Sequence, residues 1–543
     1  MIVGSTKRIS LSTSSFEDII SKGHLYVDKT RMIEHFLEEA SEVQLISRQR
    51  RLGKSLNMDM LRCFLTDGVD YRHLFNGLYI EKSHVWGKAH SAPVFYFDFK
   101  SLRLESYHKQ IMCQVDKYIY SLVDPDELKG YFKRMYQNIM GDPVRAADSL
   151  HYLTELTFEV TGKRSYILID EYDKLLMDNY NSDKYDEIRK FETALLSSAL
   201  KGNKYLEKAL LTGVMRISHE SMLSGLNNVE THDVFSDCVY TEDYGFTDEE
   251  ILKLNQLCEF DIAELKAWYN GIKINGCAIY NTYSVMSFIK KKFFDCYWGK
   301  SGAMDIIVGL LNDERKLVVA KLLNKEQAEV AVDSRISLKR LSNAAGDEAF
   351  YSLLVQAGYL SIDEKLSDQS TSFLTIPNKE LLVVWKEFIL KSLYSGVVRV
   401  KTLFDNVSNL NIFADDLEYF LKDRLSYHDL AVYEGESKTK TYERIYHIFL
   451  LGILSAYEDT RCHYPISNRE SGDGRYDILV EKFNSYFIFE CKACEKESEL
   501  DKEARSALAQ IDIKRYGVDL RNDKQLVKIG LAFYRKLCKV KCG

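Results

Sequence analysis

The sequence predicts a mixed α/β protein, with a parallel-sheet core toward the N-terminus, helices in the middle and a second α/β region at the C-terminal end. Three observations predict it. Residues Arg48 to Ser55 read R-Q-R-R-L-G-K-S between Val43 to Ile46, which can form a short buried strand, and a stretch with apolar residues at helical spacing, Leu56 to Phe64. Residues Ser165 to Asp173 read S-Y-I-L-I-D-E-Y-D, an apolar run that ends in carboxylates. Tyr476 to Glu481 and Tyr486 to Lys492 read Y-D-I-L-V-E and Y-F-I-F-E-C-K, two apolar strands joined through Lys482 to Ser485, the pattern of a hairpin.

Strand, Gly-Lys-Ser, helix is the setting of a phosphate-binding loop. Successive backbone N–H groups, the positive end of the following helix and a lysine ammonium converge there on one polyphosphate. Gly53, Lys54 and Ser55 are the motif residues; Lys54 is expected to reach the β- and γ-phosphates and Ser55 to ligate Mg²⁺. The usual pattern is G-x-x-x-x-G-K-[ST], and Arg48 stands at its first glycine. Together with Arg50 and Arg51 it makes the loop cationic, which adds these three arginines to the candidate nucleotide contacts.

Buried parallel strands read as continuous apolar runs, and ligands of such sheets sit beyond the strands' carboxyl ends. Ser165 to Asp173 therefore delivers Asp170 to the phosphate edge as a Mg²⁺-holding carboxylate, with Glu171 as the base that polarises an attacking water. Without the upstream Gly-Lys-Ser, the same residues would be a core strand with an acidic turn. Pro93 to Phe99 and Lys208 to Thr212 read as further strands. Thr212 is the candidate γ-phosphate contact, and Arg216 is either an arginine finger or a surface arginine.

The C-terminal hairpin carries an independent constellation. Side chains alternate along a strand, so Glu490 and Lys492 share a face that Cys491 does not. Asp477 and Glu490 supply hard oxygen ligands for Mg²⁺, and Lys492 orients or deprotonates a water attacking a phosphodiester. A charge-rimmed hairpin is otherwise a solvated edge. Cys491 and Cys494 form C-x-x-C, and Cys538 and Cys542 form C-x-x-x-C, but small buried thiols are the expected reading over a zinc or iron–sulfur site.

Taken together the motifs resemble a bacterial AAA-ATPase-like family that carries a C-terminal PD-(D/E)XK nuclease-like domain. The matching pieces are Y-V-D-K-T (Tyr26 to Thr30), R-x-R-R-x-G-K-S, I-D-E-Y-D (Ile169 to Asp173), S-G-L-N-N (Ser224 to Asn228), G-F-T-D-E-E (Gly245 to Glu250), W-Y-N-G (Trp268 to Gly271) and Y-N-T-Y-S (Tyr280 to Ser284), in the family's order. In that family an arginine at position 48 is normal, while Gln49 and Leu52 depart mildly. The resemblance implies that Tyr26 to Thr30 lie near the nucleotide. It also implies that Glu443, in an apolar helix over Tyr442 to Tyr457, adds a carboxylate to the nuclease site, and that Gln510, in a helix over Ala504 to Tyr516, approaches it. Tyr476 stands where the motif's name has proline. The expected fold class is then a P-loop NTPase (parallel sheet) core, residues 1–245; a helical lid, 246–300; a helical, winged-helix-like region, 301–400; and an α/β restriction-endonuclease-like domain, 401–543. The winged-helix pattern is Ala349 to Ala357, Tyr359 to Ile362, Phe373 to Pro377 and Glu380 to Leu390. Its wing, Asp363 to Asp368, holds three acids against one lysine, which favours packing over DNA contact.

Composition sets the limits. A chain of 543 residues exceeds one core, and only five prolines leave no proline-rich linker. With 73 basic against 80 acidic residues the net charge is −7, so nucleic-acid contact must come from local patches such as Lys514 to Arg521 or Lys536 to Lys541. No apolar run reaches the roughly 18 residues that span a bilayer, and no signal pattern opens the chain. Eleven cysteines, mostly isolated, fit reduced core thiols. The expectation is a cytoplasmic ATPase using ATP and Mg²⁺, controlling a nuclease that acts on nucleic acid, DNA in preference to RNA, with no membrane partner and homo-oligomerisation left open. The alternative is a nucleotide-switched protein that binds nucleic acid or another partner through an inactive nuclease-like domain.

Overall fold

In this computed structural model the described residues are 1–216, 228–298, 307, 309–323, 327–334, 341, 346–365, 371–393, 409–424, 446–447, 450, 454, 462–482, 485–520, 524–535 and 537–543. They form two compact units, Met1–Trp298 with Glu329–Glu380, and Gly299–Ala328 with Leu381–Gly543.

The first unit is built on β1 (Val43–Ser47), followed by α1 (Lys54–Leu65), β2 (Val94–Asp98), β3 (Ser165–Asp170), α2 (Tyr185–Leu200), β4 (Leu206–Gly213) and β5 (Val229–His232). The sheet order is β2-β3-β4-β1-β5, and every neighbouring pair is parallel. β1 and β3 are buried along their whole length; β3 carries the apolar run Y-I-L-I, and in β1 the buried Gln44 is satisfied by donating to Phe36 O at 3.0 Å and accepting from the Tyr240 hydroxyl. Because all five strands point one way, their carboxyl ends share an edge. The register sets Ile46 beside Thr212 and Asp98 beside Asp170 on that edge.

Past the sheet, α3 (Asp248–Cys258) starts in G-F-T-D-E-E with a reciprocal cap, Thr247 Oγ1 accepting from Glu250 N and Glu250 Oε2 from Thr247 N. It is followed by α4 (Ile262–Tyr269), a short hairpin over Ile272–Ile274 and Cys277–Ile279, and α5 (Thr282–Lys291). Asn281 caps α5 by accepting from Ser284 N. The expected winged-helix elements form as α6 (Asp347–Ala357), β6 (Ser361–Lys365), β7 (Thr371–Thr375) and α7 (Lys379–Leu393). On the acidic wing strand, Asp363 pairs with Lys273 of the short hairpin at 2.7 Å, so that carboxylate serves internal packing.

The second unit contains α8 (Leu410–Arg424), β8 (Cys462–Ser471), β9 (Gly474–Lys482), β10 (Ser485–Ala493), α9 (Leu500–Ile513), β11 (Gln525–Tyr534) and β12 (Leu537–Cys542). Its sheet follows sequence order, β8-β9-β10-β11-β12; only β10 and β11 are parallel, joined by α9 as the crossover. Phe487, Phe489 and Cys491 face one apolar cluster with Tyr446, Leu450, Leu454, Phe413 and Cys538. Ile488 faces another with Tyr476, Ile511 and Tyr516, so Glu490 and Lys492 fall on the α9 side. α9 lies so close to β11 that a Cβ on Gly530 would stand 2.4 Å from Ala504 O and Leu508 N. No side chain fits there.

Among the described residues no helix is long and apolar enough to cross a membrane. S-G-L-N-N falls outside the described residues except for Asn228, and so does Glu443.

Candidate functional site

The loop between β1 and α1 turns on Gly53, whose φ of 92° lies in the left-handed region open to glycine. Lys54 is the first residue of α1 and is buried; its ammonium donates to Arg48 O and Gln49 O, both at 2.9 Å. Burial pulls its pKa below the ordinary lysine value, against the opposing fields of Glu171, Asp170 and Asp173. One turn of the loop is thus wrapped around its own lysine.

Two strand ends and the loop helix meet on Asp170. Ser55 Oγ donates to Asp170 Oδ2 and Thr212 Oγ1 to Asp170 Oδ1, each at 2.5 Å, so the loop helix, β3 and β4 share one buried carboxylate. Glu171 follows with φ of 53°, and its N–H donates to Asp170 Oδ1 at 3.1 Å. Asp173 accepts from Val214 N at 2.9 Å and Met215 N at 2.8 Å, clipping the chain that leaves β4. Burial pushes Asp173 up to about 6. No role for Asp173 is legible in the sequence, because its partners lie just past β4, some forty residues on.

The three arginines separate. Arg48 is fully buried: its guanidinium donates to Ser47 O at 2.8 Å and His232 O at 2.9 Å and pairs with Asp237. The expectation of an Arg48 charge on the phosphates is therefore corrected; the guanidinium fastens the loop to the end of β5, and Arg48 meets Lys54 through its carbonyl. Arg51 donates to Tyr297 O at 2.7 Å and lies 3.9 Å over the Tyr283 ring. Arg50 is close enough to Lys54 to act on its ionisation, and no hydrogen bond or ion pair of its guanidinium is formed among the described residues. Arg216 Nη1 stands 3.5 Å from Asp233, and its N–H donates to Gln356 Oε1. In this geometry the Arg216 charge is directed at a carboxylate.

Tyr26 to Thr30 contribute a two-residue strand, Tyr26–Val27, and a buried Lys29 paired with Glu250 at 2.7 Å. The Tyr26 hydroxyl donates to the Met60 sulfur of α1, which ties this segment to the loop helix.

Behind the edge, Glu192 on α2 is 1% exposed, and among the described residues neither carboxyl oxygen has a hydrogen-bond partner. Burial, reinforced by Asp173, holds its pKa well above the ordinary 4.5. The folded chain keeps this proton where the unfolded chain has released it, so stability falls as pH rises above about 4.5. Glu192→Met is expected to stabilise the fold by about 2 kcal/mol near neutral pH, with the gain shrinking toward pH 4. Denaturant titrations at two pH values check this, and a gain that grows on acidification would refute it.

In the second unit the strands bring the C-terminal residues together. Asp477, half-buried on β9, accepts from Cys491 N at 2.7 Å, and burial pushes its carboxyl up to about 6 against the lowering field of Lys492. Gln510 Nε2 of α9 donates to Glu490 Oε1, and Lys492 Nζ reaches Ser506 Oγ at 3.3 Å. Ser506 and Gln510 are one helical turn apart on the helix that Gly530 lets approach. Asp477, Glu490, Lys492 and Gln510 thus form one cluster. Cys491 and Cys538 pack in the apolar cluster, and burial pushes Cys494 up to about 11 and Cys542 to about 12, the behaviour of core thiols. Of the basic patches, Arg515 is paired bidentately with Asp473, Lys539 with Glu418 and Lys541 with Asp501.

Both carboxylate sites present hard oxygen donors suited to Mg²⁺: Ser55 with Asp170, and Asp477 with Glu490.

Comparison with known proteins agrees with this division. Residues 10–223 match the family model described as a predicted AAA-ATPase, and residues 441–542 match that of the PD-(D/E)XK nuclease superfamily. An uncharacterized protein encoded in the vnfD 5′ region of Azotobacter chroococcum mcd 1 is 26% identical over 557 residues, spanning 98% of this chain and 97% of that protein. Among solved structures, the Walker-type ATPase PABY2304 of Pyrococcus abyssi is similar at a TM-score of 0.31 and 14% identity, over 66% of this chain and 94% of that one. The VC1899 protein of Vibrio cholerae gives 0.15 and 11%, over 69% and 85%. The chain thus combines an AAA-ATPase-like region with a region of the PD-(D/E)XK nuclease superfamily, the architecture its motifs resemble.

Proposed function

We propose that this chain is an ATPase whose nucleotide-bound state controls an appended Mg²⁺-dependent nuclease acting on nucleic acid, DNA in preference to RNA. The observation that carries the first half is the convergence of Ser55, Thr212 and Lys54 around Asp170 at the carboxyl edge of a parallel sheet. Bound there by Ser55 and Asp170, Mg²⁺ would neutralise charge developing on the phosphates. Lys54 exchanges its two loop carbonyls for phosphate oxygens. Gly53, Lys54 and Ser55 offer the N–H groups of a helix N-terminus, and Arg50 adds a cation close to the lysine. Thr212 reaches the terminal phosphate. Glu171, next to the shared carboxylate, takes the proton of the attacking water.

In the nuclease half Asp477 and Glu490 are the metal ligands, a bound Mg²⁺ supplying charge stabilisation for the phosphodiester. Gln510 fixes the Glu490 carboxylate, and Lys492 orients the water or takes its proton.

The test is ATP turnover and DNA or RNA cleavage by the full chain, in Mg²⁺ or Mn²⁺, with and without ATP. Glu171→Gln is expected to bind ATP as the wild type does and to hydrolyse it at least about 100-fold more slowly. Unchanged turnover in that variant removes Glu171 from the mechanism. Cleavage that ignores ATP removes the control.

A further inference from the structure

A peptide unit is planar and trans, so its C=O and N–H point in opposite directions. Fixing a carbonyl from outside a loop therefore aims the next residue's N–H inward. Two consecutive carbonyls of the phosphate-binding loop are held in this way. Trp298 Nε1 donates to Arg50 O at 3.1 Å, with Asn281 Nδ2 at 3.4 Å, and Thr282 Oγ1 donates to Arg51 O at 2.8 Å. The N–H groups that follow, those of Arg51 and Leu52, have no protein acceptor among the described residues. They are available to an anion.

The residues that hold these carbonyls are themselves gathered by one carboxylate. Glu380 is 2% exposed; its Oε1 accepts from Tyr297 N and Trp298 N, both at 2.7 Å, and its two oxygens accept from Ser284 Oγ at 3.0 and 2.9 Å. Tyr297 O in turn accepts from Arg51. The Trp298 ring packs edge-on against Tyr359 at 4.7 Å, so its indole is held from both ends. Around Glu380 stand Ser284 on α5, the Tyr297–Trp298 backbone, the Tyr269 and Tyr297 hydroxyls, and the more distant Arg51 cation.

Trp298 and Glu380 are also the last residues of the first unit at two of the points where the chain crosses into the second. W-Y-N-G and Y-N-T-Y-S acquire a role from this arrangement, since Asn281 and Thr282 lie in the latter and Asn270 O accepts from Asn378 Nδ2 just before Glu380.

We propose that Trp298, held by Glu380, is a positioning residue that presents the loop N–H groups to phosphate, and that the same contacts carry the nucleotide state to the two chain crossings. This rests on the reading of the loop as an ATP site. The competing role, simple packing of the lid, requires the Trp298 and Glu380 side chains for stability but not the indole N–H.

Trp298→Phe keeps an aromatic ring against Tyr359 and removes the donor together with part of the buried indole, so a thermal melt on the same preparation reads the packing loss apart from the loss of ATP affinity. ATP affinity is expected to weaken about 3- to 10-fold, the loss of one hydrogen bond, with kcat at saturating ATP within twofold of wild type. Any ATP-dependent change in limited proteolysis of the second unit should be lost in parallel. Glu380→Ala should behave likewise, and Glu380→Gln, which retains the acceptor for both N–H groups, should restore affinity. If Glu380→Ala does not fold, Trp298→Phe decides alone. Wild-type chain that fails to bind ATP overturns the ATP-site reading. Wild type that binds ATP, beside a Trp298→Phe chain of equal affinity and equal ATP-dependent proteolysis, overturns the positioning role while leaving the site intact.

Discussion

Lys54→Ala is expected to weaken ATP binding at least about 100-fold, with the fold retained. The ammonium is the buried cation of the loop, and charge-assisted hydrogen bonds are each worth about 1.5–3 kcal/mol, so losing the two phosphate contacts proposed for it would remove several kcal/mol of binding. Stability responds differently. In the free chain the same ammonium is held by two neutral carbonyls, Arg48 O and Gln49 O, and burial already disfavours its charge. Its removal relieves that burial but leaves the two carbonyls without their donor, which costs about 1–3 kcal/mol where water does not take its place, so the two effects oppose each other in the melting temperature. Calorimetric titration with ATP and a thermal melt on the same preparation check both parts; a dissociation constant within threefold of wild type would take the loop out of the binding site.

The second large effect is expected from Asp477→Ala combined with Lys492→Ala. On the proposed mechanism one change removes a metal-ligating carboxylate and the other the group that orients or deprotonates water, so cleavage should fall by at least about 1,000-fold. ATP affinity should not move. The Asp477 change also leaves the Cys491 N–H without its acceptor, which costs about 1–3 kcal/mol if water does not replace it. A melt must therefore accompany the assay, so that lost chemistry is told apart from lost structure. Identical residual products from wild type and the double variant would end the nuclease reading and leave a nucleotide-switched binder.

Much of this arrangement is legible in the sequence because it follows from short-range rules. The mostly apolar β1 and the apolar run in β3 mark both as buried strands, so the loop after β1, with Lys54 and Ser55, and the last residue of β3, Asp170, had to emerge at one edge. Alternation in Y-F-I-F-E-C-K separated Glu490 and Lys492 from Cys491. What was not legible depends on partners far away in the chain. The Arg48 guanidinium is assigned by Asp237, and nothing near residue 48 signals it. β5 is four residues long with a polar sequence, V-E-T-H, too short for a periodic pattern. Glu192 sits in an amphipathic helix where a glutamate ordinarily faces water. Gly530 reads as a weak point in a strand, and its purpose is visible only once α9 is laid over it.

The backbone of Glu171 has one more consequence. A φ of 53° places a residue with a full side chain in a region that costs an L-amino acid about 1–2 kcal/mol and that glycine, or to a lesser degree asparagine, adopts more readily. A chain selected for robustness alone would relax at this dihedral. With Glu171 as the proposed base, keeping a carboxylate there sets durability against turnover at a single peptide, so the position is one where variants that withstand heat better are expected to be the poorer catalysts.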